Sequence, residues 1–180
     1  VKGEDATQRW IIDPLDGTHN FIHAIPYFCI SLGLEKQGEM VAAVIYDPIH
    51  NELFTAEKGQ GAYVNGKRLS VSQRKNPEEV MLGTGAPRLG KPEYQHMLKL
   101  MDAAAGLGCS VRFCGAAALD LAYVAAGRYD GYWHPGLQPW DVAAGLLLVR
   151  EAGGIATDLL GGDTVVQTGQ VLAANKHLHP

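Results

Sequence analysis

The sequence predicts an α/β protein of the layered, α+β kind, on three observations. Apolar residues alternate with a period of two through much of the first half, they recur at helical spacing beyond position 92, and short strand-like pieces separate the later helices.

Taken in order, Arg9 to Asp13 is a short apolar run that ends in a turn. Phe28, Ile30, Leu32 and Leu34 alternate with smaller residues, and Val41 to Tyr46 is a further strand closed by Asp47-Pro48. Glu52 to Ala56 follows. Ala62 to Val64 then meets Lys67 to Val71 across Asn65-Gly66, a pair suited to a two-residue hairpin because both positions accept positive φ. This half reads as an antiparallel sheet. Beyond it, Tyr94, Met97, Leu98 and Met101 share one helical face behind Pro92, predicting an amphipathic helix over residues 92–105. A second helix, Ala116 to Ala126, ends at Gly127, and a third, Val142 to Ala152, follows Asp141 and stops at Gly153-Gly154. Ser110 to Phe113, Gly131 to Trp133, Ile155 to Thr157 and Val171 to Ala174 read as strands between them.

With 15 Lys and Arg against 19 Asp and Glu, the 180 residues carry a formal charge of -4 and no basic block. Primary nucleic-acid binding is not expected, since it rests on a basic surface that offsets phosphate charge, and Arg68, Arg74 and Lys75 read as a solvated loop. No apolar run approaches the roughly 18 residues that cross a bilayer, so no membrane association is expected. Val1 to Asp5 have neither the basic start nor the apolar stretch of a signal peptide. Cys29, Cys109 and Cys114 form no C-x-x-C pair and no even-numbered framework, which points away from disulfides and structural zinc and towards a cytoplasmic location.

The densest chemical signal is Asp13-Pro14-Leu15-Asp16-Gly17-Thr18-His19-Asn20-Phe21. A strand delivers Asp13 to its end and Asp16 returns within one turn, so two carboxylates can converge. Such convergence favours a hard divalent cation with oxygen ligands, because unpaired carboxylates repel and one takes up a proton. Gly17 and Thr18 then turn the chain with backbone N–H groups available to an anion. The same residues equally suit an Asx-type turn in which both aspartates satisfy local amides. The second signal, Trp140-Asp141, places an acid where a helix N-cap belongs, and that role alone accounts for a lone Asp. At Cys114-Gly115-Ala116-Ala117-Ala118 a glycine opens a helix of small residues, suiting close packing or close approach of a ligand. On that helix Asp120 reads as the polar face and Tyr123 as the packing face.

Together these residues resemble the inositol monophosphatase family of magnesium-dependent, lithium-sensitive phosphatases. The first signature matches Asp13 to Phe21, and the second Trp140-Asp141-Val142-Ala143-Ala144-Gly145 running on to Glu151-Ala152-Gly153-Gly154. Tyr46-Asp47-Pro48, Gly59-Gln60-Gly61-Ala62, Asn65-Gly66 and Ala118-Leu119-Asp120-Leu121-Ala122 are similar to bacterial members. The resemblance implies an αβαβα sandwich related to fructose-1,6-bisphosphatase, lacking the N-terminal helical segment. It divides into residues 1–79 with the first metal motif and residues 80–180 with the second, at the polar stretch Ser72 to Glu79, together forming one catalytic domain. The implied activity is hydrolysis of a small phosphorylated substrate with Mg2+, by a homodimer as is common among relatives.

In this resemblance Asp13 bridges two metal ions, Asp16 and Asp141 complete one ion's shell, and the Leu15 carbonyl serves the other. Gly17 and Thr18 hold the phosphate through backbone N–H groups, and the Thr18 hydroxyl helps orient the attacking water. Asp16, Gly115, Ala117, His134 and Asp141 face the remainder of the substrate. A haloacid-dehalogenase pattern would place its two aspartates two apart, whereas Asp13 and Asp16 are three apart. His134, followed by Pro135, stands where many inositol phosphatases have a Glu that contacts sugar hydroxyls. It is either a surface histidine or a shift towards another phosphomonoester, so histidinol phosphate, fructose 1,6-bisphosphate and phosphoadenosine phosphates stand beside inositol monophosphate as substrates. Family members also carry a metal-binding Glu shortly before the Trp10 strand, a role that Glu4 and Asp5 do not match. The 180 residues are thus expected to be an incomplete version of a longer protein, and a non-catalytic metal-binding or protein-interaction module is the alternative reading.

Overall fold

The computed structural model describes residues 7–86, 89–90 and 93–180. The readings of Val1 to Asp5 and of Pro92 lie outside them. Six strands, β1 (Gln8–Asp16), β2 (Cys29–Lys36), β3 (Glu39–Asp47), β4 (Glu52–Glu57), β5 (Gly61–Val64) and β6 (Lys67–Arg68), form an antiparallel meander in sequence order. Asn65 and Gly66 join the last two with φ of 48° and 76°, as the hairpin reading requires. β6 is shorter than predicted. After Leu69 the chain leaves the sheet, and the Val71 amide donates to the Ala152 carbonyl at 3.0 Å instead of to a strand.

The remaining strands are β7 (Met81–Thr84), β8 (Ser110–Arg112), β9 (Gly131–His134), β10 (Ile155–Thr157) and β11 (Val171–Ala174). They form a second, mixed sheet in the order β10-β11-β9-β7-β8, with β7 parallel to both β8 and β9. The helices are α1 (Thr18–Ile22), α2 (Tyr94–Gly106), α3 (Ala117–Ala125), α4 (Pro139–Glu151) and α5 (Val165–Thr168). No helix of the described residues is long and apolar enough to cross a membrane.

α3 and α4 pack on each other and on strands of both sheets. Tyr132 joins the core they form, whereas its neighbour Trp133 points the other way onto Met97 and Ala104 of α2. The layers therefore run sheet, helix pair, sheet, helix, four of the five in the predicted sandwich. The outer face of the first sheet leaves Trp10, Ile12 and Ile30 exposed.

Position between two sheets explains why α4 is buried at every residue from Val142 to Val149, without the polar stripe of a surface helix. It also overturns one reading of α3. Asp120 is no solvent-facing residue but only 2% exposed, and the Tyr27 hydroxyl donates to it at 2.6 Å. A helix enclosed on both sides has no polar face to offer. Arg74 is exposed, as the solvated-loop reading requires, and its guanidinium also donates to buried Asp130 at 2.7 Å and to the Gly127 carbonyl at 2.8 Å.

The α3–α4 contact requires Gly145. A Cβ there would lie 2.5 Å from Leu121 Cβ, so Gly145→Ala is expected to cost about 2 kcal/mol through overpacking. Urea unfolding measures this, and an unchanged midpoint would contradict it. A second stability prediction concerns Asp158, which accepts hydrogen bonds from the Thr164 hydroxyl at 2.6 Å and the Gly162 amide at 2.8 Å. These donors, the hydroxyl foremost, hold its carboxyl at about 2, below the usual carboxylate range. A depressed folded-state value stabilises the fold above the unfolded value and is lost as pH falls towards 2. Asp158→Ala should therefore lower Tm by several degrees at pH 7 and by less at pH 2.5.

Candidate active site

β1 continues past Pro14 to Asp16, but its ladder with β2 is interrupted between Asp13 and Asp16, where Pro14 has no N–H to contribute. Pairing resumes at Asp16, opposite Cys29. The break lets Asp13 and Asp16 turn towards the same space. The Leu15 amide donates to Asp13 Oδ1 at 3.0 Å, and the Thr18 hydroxyl donates to the Leu15 carbonyl at 2.8 Å. The Asx-type turn is thus present as well as the convergence; the two readings coexist.

Gly17, with φ of 85°, caps α1, a conformation that costs a side chain. Space excludes one too, since a Cβ would lie 2.9 Å from the Tyr27 carbonyl oxygen.

Asp141 is not the N-cap of α4. That position belongs to Gln138, Pro139 occupies the first turn, and Asp141 is the third helical residue of a capping box, accepting the Gln138 amide at 2.8 Å. The helix begins earlier than predicted because Pro139, with its fixed φ, suits a first turn. From there Asp141 reaches the two acids of β1. One carboxylate oxygen from each of Asp13, Asp16 and Asp141 lies within 4.8 Å of the other two.

The electrostatics of this cluster are unbalanced. Asp16 is 8% exposed, and burial first, then the charges of Asp141 and Asp13, push its carboxyl up to about 7 against the opposing Ala118 amide, which donates to Oδ2 at 2.7 Å. Burial, followed by the charge of Asp13, raises Asp141 as well, despite its bond from Gln138. Acids held so close resist ionisation unless positive charge joins them. Among the described residues none of the side chains lining the surrounding cleft is Lys or Arg. Three oxygen donors with hard-ligand chemistry and no partner cation fit an Mg2+-type ion.

The cleft has a volume of about 690 Å³. Asp13, Leu15, Asp16, Gly17, Thr18, Gly115, Ala117, His134 and Asp141 all line it, so every site residue read from the sequence meets in one place. Gly115 has φ of 85° and leads into Ala116 and Ala117 at the head of α3. His134 ends β9, and its Nδ1 accepts the Gly136 amide at 3.1 Å, with Nε2 on the opposite ring edge. That ring edge faces Gly85, where a Cβ would lie 2.5 Å from it. Gly85, Glu93 and Asp120 also line the cleft and were not read as site residues. The apolar run Val80-Met81-Leu82 was the available signal for the strand that delivers Gly85.

The layered fold and an acid cluster in a cleft are the arrangement of a phosphatase. Comparison narrows the class: the sequence model of the Inositol monophosphatase family matches residues 1–180, and the chain belongs to that family. It is 49% identical over 178 residues to the inositol-1-monophosphatase of Rhizobium meliloti (strain 1021), covering 99% of this chain and 67% of that protein. It is 47% identical over 175 residues to the Nus factor SuhB of Escherichia coli (strain K12), covering 97% and 66%. The crystal structure of extragenic suppressor protein suhB from Bartonella henselae superposes with a TM-score of 0.94 at 50% identity, covering 98% of this chain and 68% of that one. The chain spans about two thirds of the length of these relatives.

Proposed function

We propose that the protein is a magnesium-dependent phosphomonoesterase that hydrolyses inositol monophosphate or a similar small polyol or sugar phosphate. The single observation that carries this reading is the meeting of Asp13, Asp16 and Asp141 in one cleft with no basic side chain among its described lining residues. The carboxylates of Asp13, Asp16 and Asp141 and the Leu15 carbonyl would hold Mg2+. When bound, such ions lower the pKa of water and stabilise the charge that develops on phosphoryl oxygens.

The chain's own groups supply the rest. Gly17 and Thr18 open α1, where first-turn amides have no partner within the helix and can hold phosphate oxygens. Because the Thr18 hydroxyl donates its hydrogen bond to the Leu15 carbonyl, its lone pairs are left to accept a hydrogen bond from water and orient it. Gly115 and Ala117 offer the substrate a wall without bulk, and His134 places an imidazole where an acidic acceptor would otherwise stand. An imidazole in place of a carboxylate there changes which of the candidate phosphomonoesters the cleft prefers.

The test is phosphate release by the protein at its full natural length, with and without Mg2+, from inositol monophosphate and a panel of small phosphates. Release that depends on Mg2+ is expected. Absence of release from every substrate, with a partner protein retained, would favour an interaction module instead, a reading that the Nus factor name of one relative supports.

A further inference from the structure

We propose that Asn20 is a positioning residue that fixes the spacing between the phosphate-holding turn and the wall of the cleft at the head of α3; this rests on the phosphatase reading above. Asn20 lies in α1, three residues beyond Gly17. Its Nδ2 donates to the Tyr27 carbonyl and to the Cys114 carbonyl, each at 2.7 Å. Both acceptors are backbone oxygens, so the NH2 end of the amide must face them, one hydrogen to each.

Each bond leads to a different rim of the cleft. The Tyr27 carbonyl packs over Gly17, and the Cys114 carbonyl opens the loop through Gly115, where a Cβ would lie 3.2 Å from Asn20 Nδ2. Tyr27 is itself anchored from its far end, because its hydroxyl donates to Asp120 of α3 at 2.6 Å. The contacts therefore close a circuit, from α1 through Asn20 to Cys114, along α3 to Asp120, and back through Tyr27.

The Ala118 amide also ties α3 to Asp16, at the end of β1 just before the turn. That tie depends on a carboxylate that the cation would share. Asn20 uses only neutral groups, so its hold on the spacing is independent of the state of the acid cluster. Inorganic phosphate needs only the turn and the cations, whereas a polyol phosphate also needs the wall at the correct distance. Loss of the tie should therefore separate the two ligands.

The experiment compares wild type, Asn20→Ala and Asn20→Ser at full length with Mg2+. In Asn20→Ala the KM for inositol monophosphate should rise about tenfold while the inhibition constant of inorganic phosphate changes by less than about twofold. Asn20→Ser, which retains one donor, should fall between and also serves if the alanine variant does not fold. Tyr27→Phe removes only the distant link and should give the same signature in weaker form. Equal rises in both constants, or no rise in KM, would overturn the proposal. Hydrogen exchange supplies a readout independent of turnover: amides of Gly115, Ala116 and Ala117 should exchange faster in Asn20→Ala, and unchanged exchange would refute the tie even if wild type proved inactive. Wild-type turnover alone decides the phosphatase reading, so the two failures are distinguishable.

Discussion

Asp13→Asn is expected to lower Mg2+-dependent phosphate release by at least about a thousandfold while leaving the fold intact. The two effects separate because of where Asp13 stands. Asp13 accepts the Leu15 amide through Oδ1, a bond that an asparagine oxygen also accepts. What asparagine lacks is the charge that a shared cation requires. In protein stripped of divalent ions the substitution also relieves repulsion with Asp16 and Asp141, so Tm should hold or rise. Added Mg2+ should then raise the Tm of wild type and leave that of the variant nearly unmoved, since a ligand stabilises only the state that binds it. Unfolding of the variant in the absence of metal would instead make Asp13 a structural turn residue.

Asp141 performs two tasks that different substitutions can divide. It accepts the Gln138 amide as part of the capping box and it completes the acid cluster. Asp141→Asn keeps an oxygen for the cap and removes the charge, so activity should fall by at least about a hundredfold with little change in unfolding midpoint. Asp141→Ala removes both and should add a loss of about 1 kcal/mol, the usual worth of a cap. If the two variants were equally stable, the capping bond would contribute nothing; if asparagine retained full activity, the cluster would not need the third acid.

How much of this could be read beforehand differs by element. The meander was legible because period-two alternation and Asn65-Gly66 are local properties, and α3 and α4 were legible because glycines close them. α1 was not, having only five residues and no buried side chain to impose a period. β7, four residues long, gave too short a run. Asp120 was misread for a different reason: an acid in a helix of alanine and leucine signals a wet face, unless tertiary structure encloses the helix on both sides, as it does here. In the site, Asp13, Asp16 and Gly17 announce themselves by spacing. The approach of Asp141 is set by α4 lying against the first sheet, which no local pattern records, and the family resemblance supplied it. Asn20 stood inside the quoted motif, yet its partners at Tyr27 and Cys114 exist only once α1 and the head of α3 are neighbours.

The decisive measurement is an anomalous-scattering map of the full-length protein crystallised with Mn2+ in place of Mg2+. A peak roughly 2.0–2.3 Å from carboxylate oxygens of Asp13, Asp16 and Asp141 together is the expected result. Strong Mn2+ peaks elsewhere on the molecule, with none between these three side chains, would contradict it.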